Sequence, residues 1–181
     1  MKVEETYLKG CYIITPRVYY DNRGCFFESF NQLEFETAIA NQTTFVQDNH
    51  SVSQKGVLRG LHFQTGDKAQ AKLVRVVTGS VLDVCVDIRP DSDTFGKHFS
   101  IILDGVDNKQ LFIPKGFAHG FLTLEDNTIF SYKCDNYYNK NAEAGIRYDD
   151  VTLNIDWNFP LNNLILSEKD LNLPTFENLF K

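Results

Sequence analysis

Residues 73–88 constrain the fold most. Two apolar runs flank Thr78-Gly79-Ser80, and in the second Leu82, Val84, Val86 and Ile88 alternate with Val81, Asp83, Cys85 and Asp87. A period of two is the periodicity of a β-strand, because successive side chains point to opposite faces. Similar short runs recur at residues 99–103, 110–113, 121–124 and 128–134, separated by Asp-Gly, Asp-Asn and Pro-Lys-Gly turn sequences. Many short strands with regular turns predict a mainly β protein built as an antiparallel sandwich or barrel.

A chain of 181 residues is expected to form one domain, residues 1–181, with enough length for a real core. The formal net charge of −6 argues against nucleic acid as the main partner. An anionic ligand would need a local cluster of Arg, Lys and His. No apolar run approaches the ~20 residues of a membrane helix, so no membrane partner is expected. The first ten residues are charged and do not read as a signal peptide. Cys11, Cys25, Cys85 and Cys134 lie far apart with no Cys-x-x-Cys pair. Together these features lead us to expect a cytoplasmic protein with reduced, mostly buried thiols.

Along the chain, Asp21-Asn22-Arg23-Gly24 reads as a tight turn, with residues 25–30 resuming as a strand. Asn31 can cap a short helix to about Ala40, with Leu33, Phe35, Ile39 and Ala40 as its apolar stripe. Residues 45–53 look extended yet carry Gln47-Asp48-Asn49-His50, which a plain core strand would not. Thr65-Gly66-Asp67 and Glu125-Asp126-Asn127 read as hairpin turns. After Asp149 periodicity is lost, and Ser167-Glu168-Lys169-Asp170 can start a helical turn.

Chemistry concentrates in residues 55–64 and 112–121. On the first strand, alternation groups His62 with Leu58, Gly60 and Gln64, and Lys72 can face His62 across the 65–67 hairpin. Tyr132 shares a face with Thr128 and Phe130. Taken singly, a strand histidine is more often a structural hydrogen-bonding group, and Tyr137 and Tyr138 read as ordinary packing. Inside a barrel, however, His62, Lys72, His119 and Tyr132 are costly unless they bond one another or a ligand. Arg59 falls on the face opposite His62. It reaches the same pocket only from the rim, or through a bulge that Gly60 would permit.

Pro114-x-Gly116-x-x-His119 resembles the second motif of the cupin superfamily. The first motif of metal-binding cupins carries His-x-His and a following Glu; here that place reads His62-Phe63-Gln64. With one ligand missing, no metal and no other cofactor are expected, and a metal-dependent cupin oxygenase is disfavoured.

Taken in order, these runs make the chain resemble the dTDP-4-dehydrorhamnose 3,5-epimerase family, which are metal-free cupins. The resemblance rests on residues 21–24, 26–30, 46–51, 55–64, 69–77, 87–89, 113–121 and 167–170, with Tyr132-Lys133 and Tyr137-Tyr138. It implies a cupin-type jelly-roll barrel with a few short helices, acting on a nucleotide-diphospho-4-keto sugar. In that reading His62 is the base, Asp170 orients it, Lys72 stabilises the enolate and Tyr132 is the acid. Arg23, Arg59 and His119 meet the diphosphate and sugar. Glu28, Gln47, Asn49, Glu143 and Lys169 match other substrate contacts, and Tyr138 matches a base-stacking aromatic. The resemblance also implies a homodimer whose N-terminal strands exchange, so that Arg23 and Glu28 serve the partner's site. Ala71 stands where the family commonly has Gly. Left open are a GDP-linked 4-keto hexose or heptose as substrate, inversion at carbon 3 only, and a sugar-nucleotide binding module without turnover.

Overall fold

A computed structural model describes residues 1–180. Thirteen strands carry the fold: β1 (Lys2–Glu5), β2 (Tyr12–Thr15), β3 (Tyr19–Asp21), β4 (Gly24–Phe26), β5 (Gln47–Ser53), β6 (Leu58–Gln64), β7 (Lys72–Thr78), β8 (Ser80–Asp87), β9 (His98–Asp104), β10 (Gln110–Ile113), β11 (Phe117–Thr123), β12 (Thr128–Cys134) and β13 (Glu143–Gly145). The helices are α1 (Gln32–Ile39), α2 (Glu168–Leu171) and α3 (Phe176–Phe180). Antiparallel pairing builds a six-stranded sheet ordered β1-β2-β10-β7-β12-β5 and a five-stranded sheet ordered β13-β6-β11-β8-β9. The small β3-β4 hairpin stands apart from both. This is the expected jelly roll.

The core lies between the two sheets. Val74, Val76, Leu111, Ile113 and Phe130 from one meet Val81, Cys85, Leu103, Phe117 and Phe121 from the other. The strand that announced the fold is buried on both faces. Val81, Asp83 and Cys85 turn inward, while Val84 and Val86 turn outward beneath Ile146, Leu153, Trp157 and Phe176. The aperiodic C-terminal stretch is therefore a cover for the five-stranded sheet. Trp157 anchors it, buried and donating Nε1–H to the Tyr148 carbonyl at 2.8 Å. Helix α1 covers the other sheet through Phe35 and Ile39, and Leu33 of the expected stripe is exposed. Asn31 caps this helix by accepting from the Glu34 N–H.

Two expected hairpins are corrected. β6 and β7 belong to different sheets, and so do β11 and β12. The turns at 65–67 and 125–127 therefore carry the chain across the barrel rather than back along one sheet. Turn residues permit either path; which is taken depends on where both faces of each strand are buried. The strand expected over 25–30 ends at Phe26.

Candidate functional site

A cavity of ≈ 660 Å³ is lined by strands of both sheets. His62 and Arg59 reach it from β6, His119 and Phe121 from β11, Lys72 from β7, Tyr132 from β12 and Asn49 from β5. The C-terminal strap adds Ile165, Ser167, Lys169 and Asp170. A recess of ≈ 290 Å³ shares Asn49, His62, Lys72 and Tyr132 with it and adds Gln47, Gln64, Tyr138 and Glu143.

Arg59 and His62 share this cavity because of a bulge. His62 pairs with His119 and Arg59 with Phe121, so three steps on β6 oppose two on β11. The extra residue falls at Gly60 and Leu61. Gly60 has φ +129°, and a Cβ there would lie 2.5 Å from the Gly120 Cα. Only a residue without a side chain fits. Arg59 then donates from Nε and Nη2 to the Ser53 hydroxyl at 3.3 and 3.2 Å.

The strap is set by a parallel bridge between Val57 and Ile165, with Leu58 N–H donating to the Ile165 carbonyl at 3.0 Å. Ser167 caps α2 by accepting from the Asp170 N–H. This places Asp170 Oδ1 2.5 Å from His62 Nε2. Burial raises the Asp170 carboxyl, but its bonds to His62 and Ser167 outweigh that and hold it below its usual value. An ionised carboxylate only accepts, so in the neutral imidazole the hydrogen lies on Nε2 and the lone pair on Nδ1.

Lys72 comes from the sheet opposite His62, and its Nζ lies 3.4 Å from the His62 carbonyl oxygen. The expected meeting of the two thus occurs across the barrel, not across a hairpin. Burial lowers the Lys72 ammonium, with Cys134, Asp83 and Glu143 opposing the shift. Burial also raises the Tyr132 phenol, so it keeps its proton at neutral pH.

A second histidine–carboxylate pair, with His119 in the cavity wall, was not anticipated. His119 Nε2 lies 2.9 Å from Asp83 Oδ2, with both groups buried. Burial lowers the His119 imidazole while Asp83 opposes the shift. The available signal was Asp83 itself, an acid within the apolar alternation of β8. Ser53 and Ser167 were likewise missed as holders of Arg59 and Asp170. The Ser51 hydroxyl on the cavity wall is buried without a partner among the described residues.

In the recess, Glu143 accepts from the Tyr138 hydroxyl at 3.0 Å and pairs with Lys169 at 2.5 Å. Tyr138 is half exposed rather than packed. Arg23 and Glu28 are not brought to this cavity. Arg23 is exposed on the β3-β4 turn, paired with Asp21 at 2.6 Å, and Glu28 lines a separate groove with Arg17, Tyr19 and Phe26. Among the described residues no group of three or more His, Cys, Asp and Glu side chains is arranged to hold a metal ion. Nor is any described helix long and apolar enough to cross a membrane.

The sequence profile of the dTDP-4-dehydrorhamnose 3,5-epimerase family matches residues 5–178. The chain belongs to that family. The dTDP-4-dehydrorhamnose 3,5-epimerase of Escherichia coli K12 is 50% identical over 181 residues, covering all of this chain and 97% of that protein. The crystal structure of the Elizabethkingia anophelis NUHP1 enzyme of the same name superposes with a TM-score of 0.96 at 49% identity, covering 100% of this chain and 99% of that one. The dTDP-6-deoxy-D-glucose-3,5-epimerase of Legionella pneumophila Philadelphia 1, in complex with dTDP-4-keto-L-rhamnose, superposes at 0.94 with 45% identity, covering 99% and 94%. The cavity of this epimerase-family chain combines an oriented imidazole, a lysine amine and a phenol that keeps its proton. That set suits proton removal next to a carbonyl followed by proton return.

Proposed function

We propose that this protein epimerises dTDP-4-keto-6-deoxy-glucose at carbons 3 and 5, giving dTDP-4-keto-rhamnose. The observation that carries the reading is the convergence of the His62–Asp170 pair, Lys72 and Tyr132 on one cavity from both sheets. Carbons 3 and 5 both flank the keto group at carbon 4, so each C–H is an enolate precursor. His62 Nδ1 takes the proton, and the C–H electrons move into the ring bond as the carbonyl oxygen becomes an enolate. The Lys72 ammonium faces that developing charge, a form of stabilisation that is strong where water is excluded. Tyr132, on the opposite sheet from His62, returns a proton to the other face of the carbon. Solvent then restores both groups for the second carbon, and no net proton or electron is consumed.

The substrate contacts follow the same reading. Arg59 and His119 take the diphosphate and sugar, with Asn49, Gln47, Glu143 and Lys169 around them. Arg suits a diphosphate because its planar fork bonds oxygen pairs. Tyr138 offers a ring face to the base. Arg23 and Glu28 serve the cavity of a second copy in a homodimer; an active monomer in sedimentation would remove them from the site.

The test is incubation in deuterated water with dTDP- and GDP-linked 4-keto sugars, followed by NMR. Deuterium at both carbons with inversion of both is expected for the dTDP-linked hexose. Exchange confined to carbon 3 would make the protein a monoepimerase. Preference for a GDP-linked sugar would change the substrate. Tight binding with no exchange would make it a binding module.

A further inference from the structure

Gln64 stands where metal-binding cupins carry a ligand, and the proposed reaction gives it no task. It is 7% exposed and borders the recess that holds Tyr138. Its amide is fully engaged with main chain. Nε2 donates to the carbonyls of Lys68 and Tyr137 at 2.7 and 3.2 Å, and Oε1 accepts the Asn139 N–H at 2.6 Å. Both donor hydrogens are spent, so Gln64 has nothing to donate to a ligand. The peptide groups it holds are those on either side of Tyr138. The remaining Tyr138 N–H donates to Gln47 Oε1 at 2.9 Å. Two glutamines, from the consecutive strands β5 and β6 in different sheets, thus fix the main chain of residues 137–139. Tyr138 itself is 55% exposed.

We propose that Gln64 is a positioning residue for nucleotide recognition: its side-chain amide holds the 137–139 backbone so that Tyr138 is a preformed platform for the base. The proposal rests on the reading of Tyr138 as the base contact. A platform set before binding spares the ordering of an exposed loop when the ligand arrives. It also separates the two halves of the ligand. The diphosphate end meets Arg59, which Gln64 does not touch.

The experiment is calorimetric titration of the full-length protein with dTDP and with inorganic pyrophosphate. The proteins are the parent, Gln64→Ala, Tyr138→Ala and the double variant. Each single substitution is expected to weaken dTDP about ten-fold, the order expected for losing a base–aromatic stack. Pyrophosphate affinity is expected to stay within about two-fold, and the double variant within about two-fold of Tyr138→Ala, because both changes remove one interaction. In turnover, KM should rise by more than kcat falls. Equal loss of dTDP and pyrophosphate, or losses that multiply in the double variant, would overturn the proposal. Parent-like dTDP binding by Gln64→Ala, with Tyr138→Ala weakened, would overturn it and leave the base contact standing. Parent-like binding by Tyr138→Ala would remove the base contact itself. Amide exchange of the unsubstituted protein needs no variant. The Asn139 amide should be protected before dTDP is added; protection that arises only with dTDP would show a platform ordered by the ligand and overturn the proposal.

Discussion

Replacing Asp170 by Asn exchanges one carboxylate oxygen for an amide nitrogen with almost no change in volume. The carboxyl is buried, 2.5 Å from His62 Nε2 and held below its usual pKa, so the parent pair is a charged acceptor against an N–H donor. A hydrogen bond to a charged group contributes about 1.5–3 kcal/mol, so orientation alone is worth about 10- to 150-fold in rate. The tautomer adds to this. If the introduced amide turns its NH₂ toward Nε2, that nitrogen must accept, the imidazole hydrogen moves to Nδ1, and the lone pair facing the cavity is lost. Loss of a positioned base costs about 10²- to 10⁴-fold, which sets the expected fall in proton exchange at both carbons. The assay is deuterium uptake by NMR under single-turnover conditions, with dTDP affinity and thermal midpoint measured on the same protein. Affinity should stay within about three-fold, since in this scheme Asp170 does not touch the nucleotide. Exchange within about five-fold of the parent would refute the assignment of Nδ1 as the base. A large loss of dTDP affinity would instead make Asp170 a fastener of the strap.

Tyr132→Phe should separate two events: deuterium still enters the substrate through His62, while inversion at carbon 5 falls by at least about 100-fold. Inversion near the parent rate would make Tyr132 a packing residue. Gly60→Ala would force a Cβ to within 2.5 Å of the Gly120 Cα and 2.9 Å of the His119 carbonyl at a φ of +129°. The expected destabilisation in urea is at least about 3 kcal/mol, the upper range for backbone strain before the clash is added; a change under about 0.5 kcal/mol would refute the tight approach of β6 to β11. Asp87 tests pH dependence. Burial raises its carboxyl, but bonds from Arg89, Ser92 and Thr94 outweigh that and bring it to about 2. A folded pKa depressed below the unfolded one stabilises fully above about pH 5, and that stability is lost as pH falls from about 4 toward 2. The stability gap between parent and Asp87→Asn, followed by urea titration, should therefore narrow below about pH 4; a gap constant from about pH 6 to 3 would remove Asp87 as the origin.

Local chemistry made much of this protein legible in one dimension. The alternation at 81–88 announced an antiparallel β fold, because side-chain direction in a strand depends only on parity. Asn31 marked the start of α1, since its cap bond closes within three residues. The order of motifs pointed to His62, Lys72, Tyr132 and Asp170 before any coordinates. Contacts between distant segments were another matter. Asp83 reads as one polar residue among valines until β11 sets His119 beside it. Gln64 reads as a missing ligand until three main-chain groups close on its amide. Arg59 falls on the wrong face until pairing with β11 forces one extra residue at Gly60 and turns it toward His62. Turn residues at 65–67 and 125–127 specify a reversal but not which sheet receives the next strand. That choice is made by the burial of both faces of each strand, and burial depends on every other segment of the chain. The sequence alone singled out the residues proposed to carry the chemistry. Their meeting in one cavity was decided by sheet pairing and by the strap that returns Asp170 across more than a hundred residues to His62.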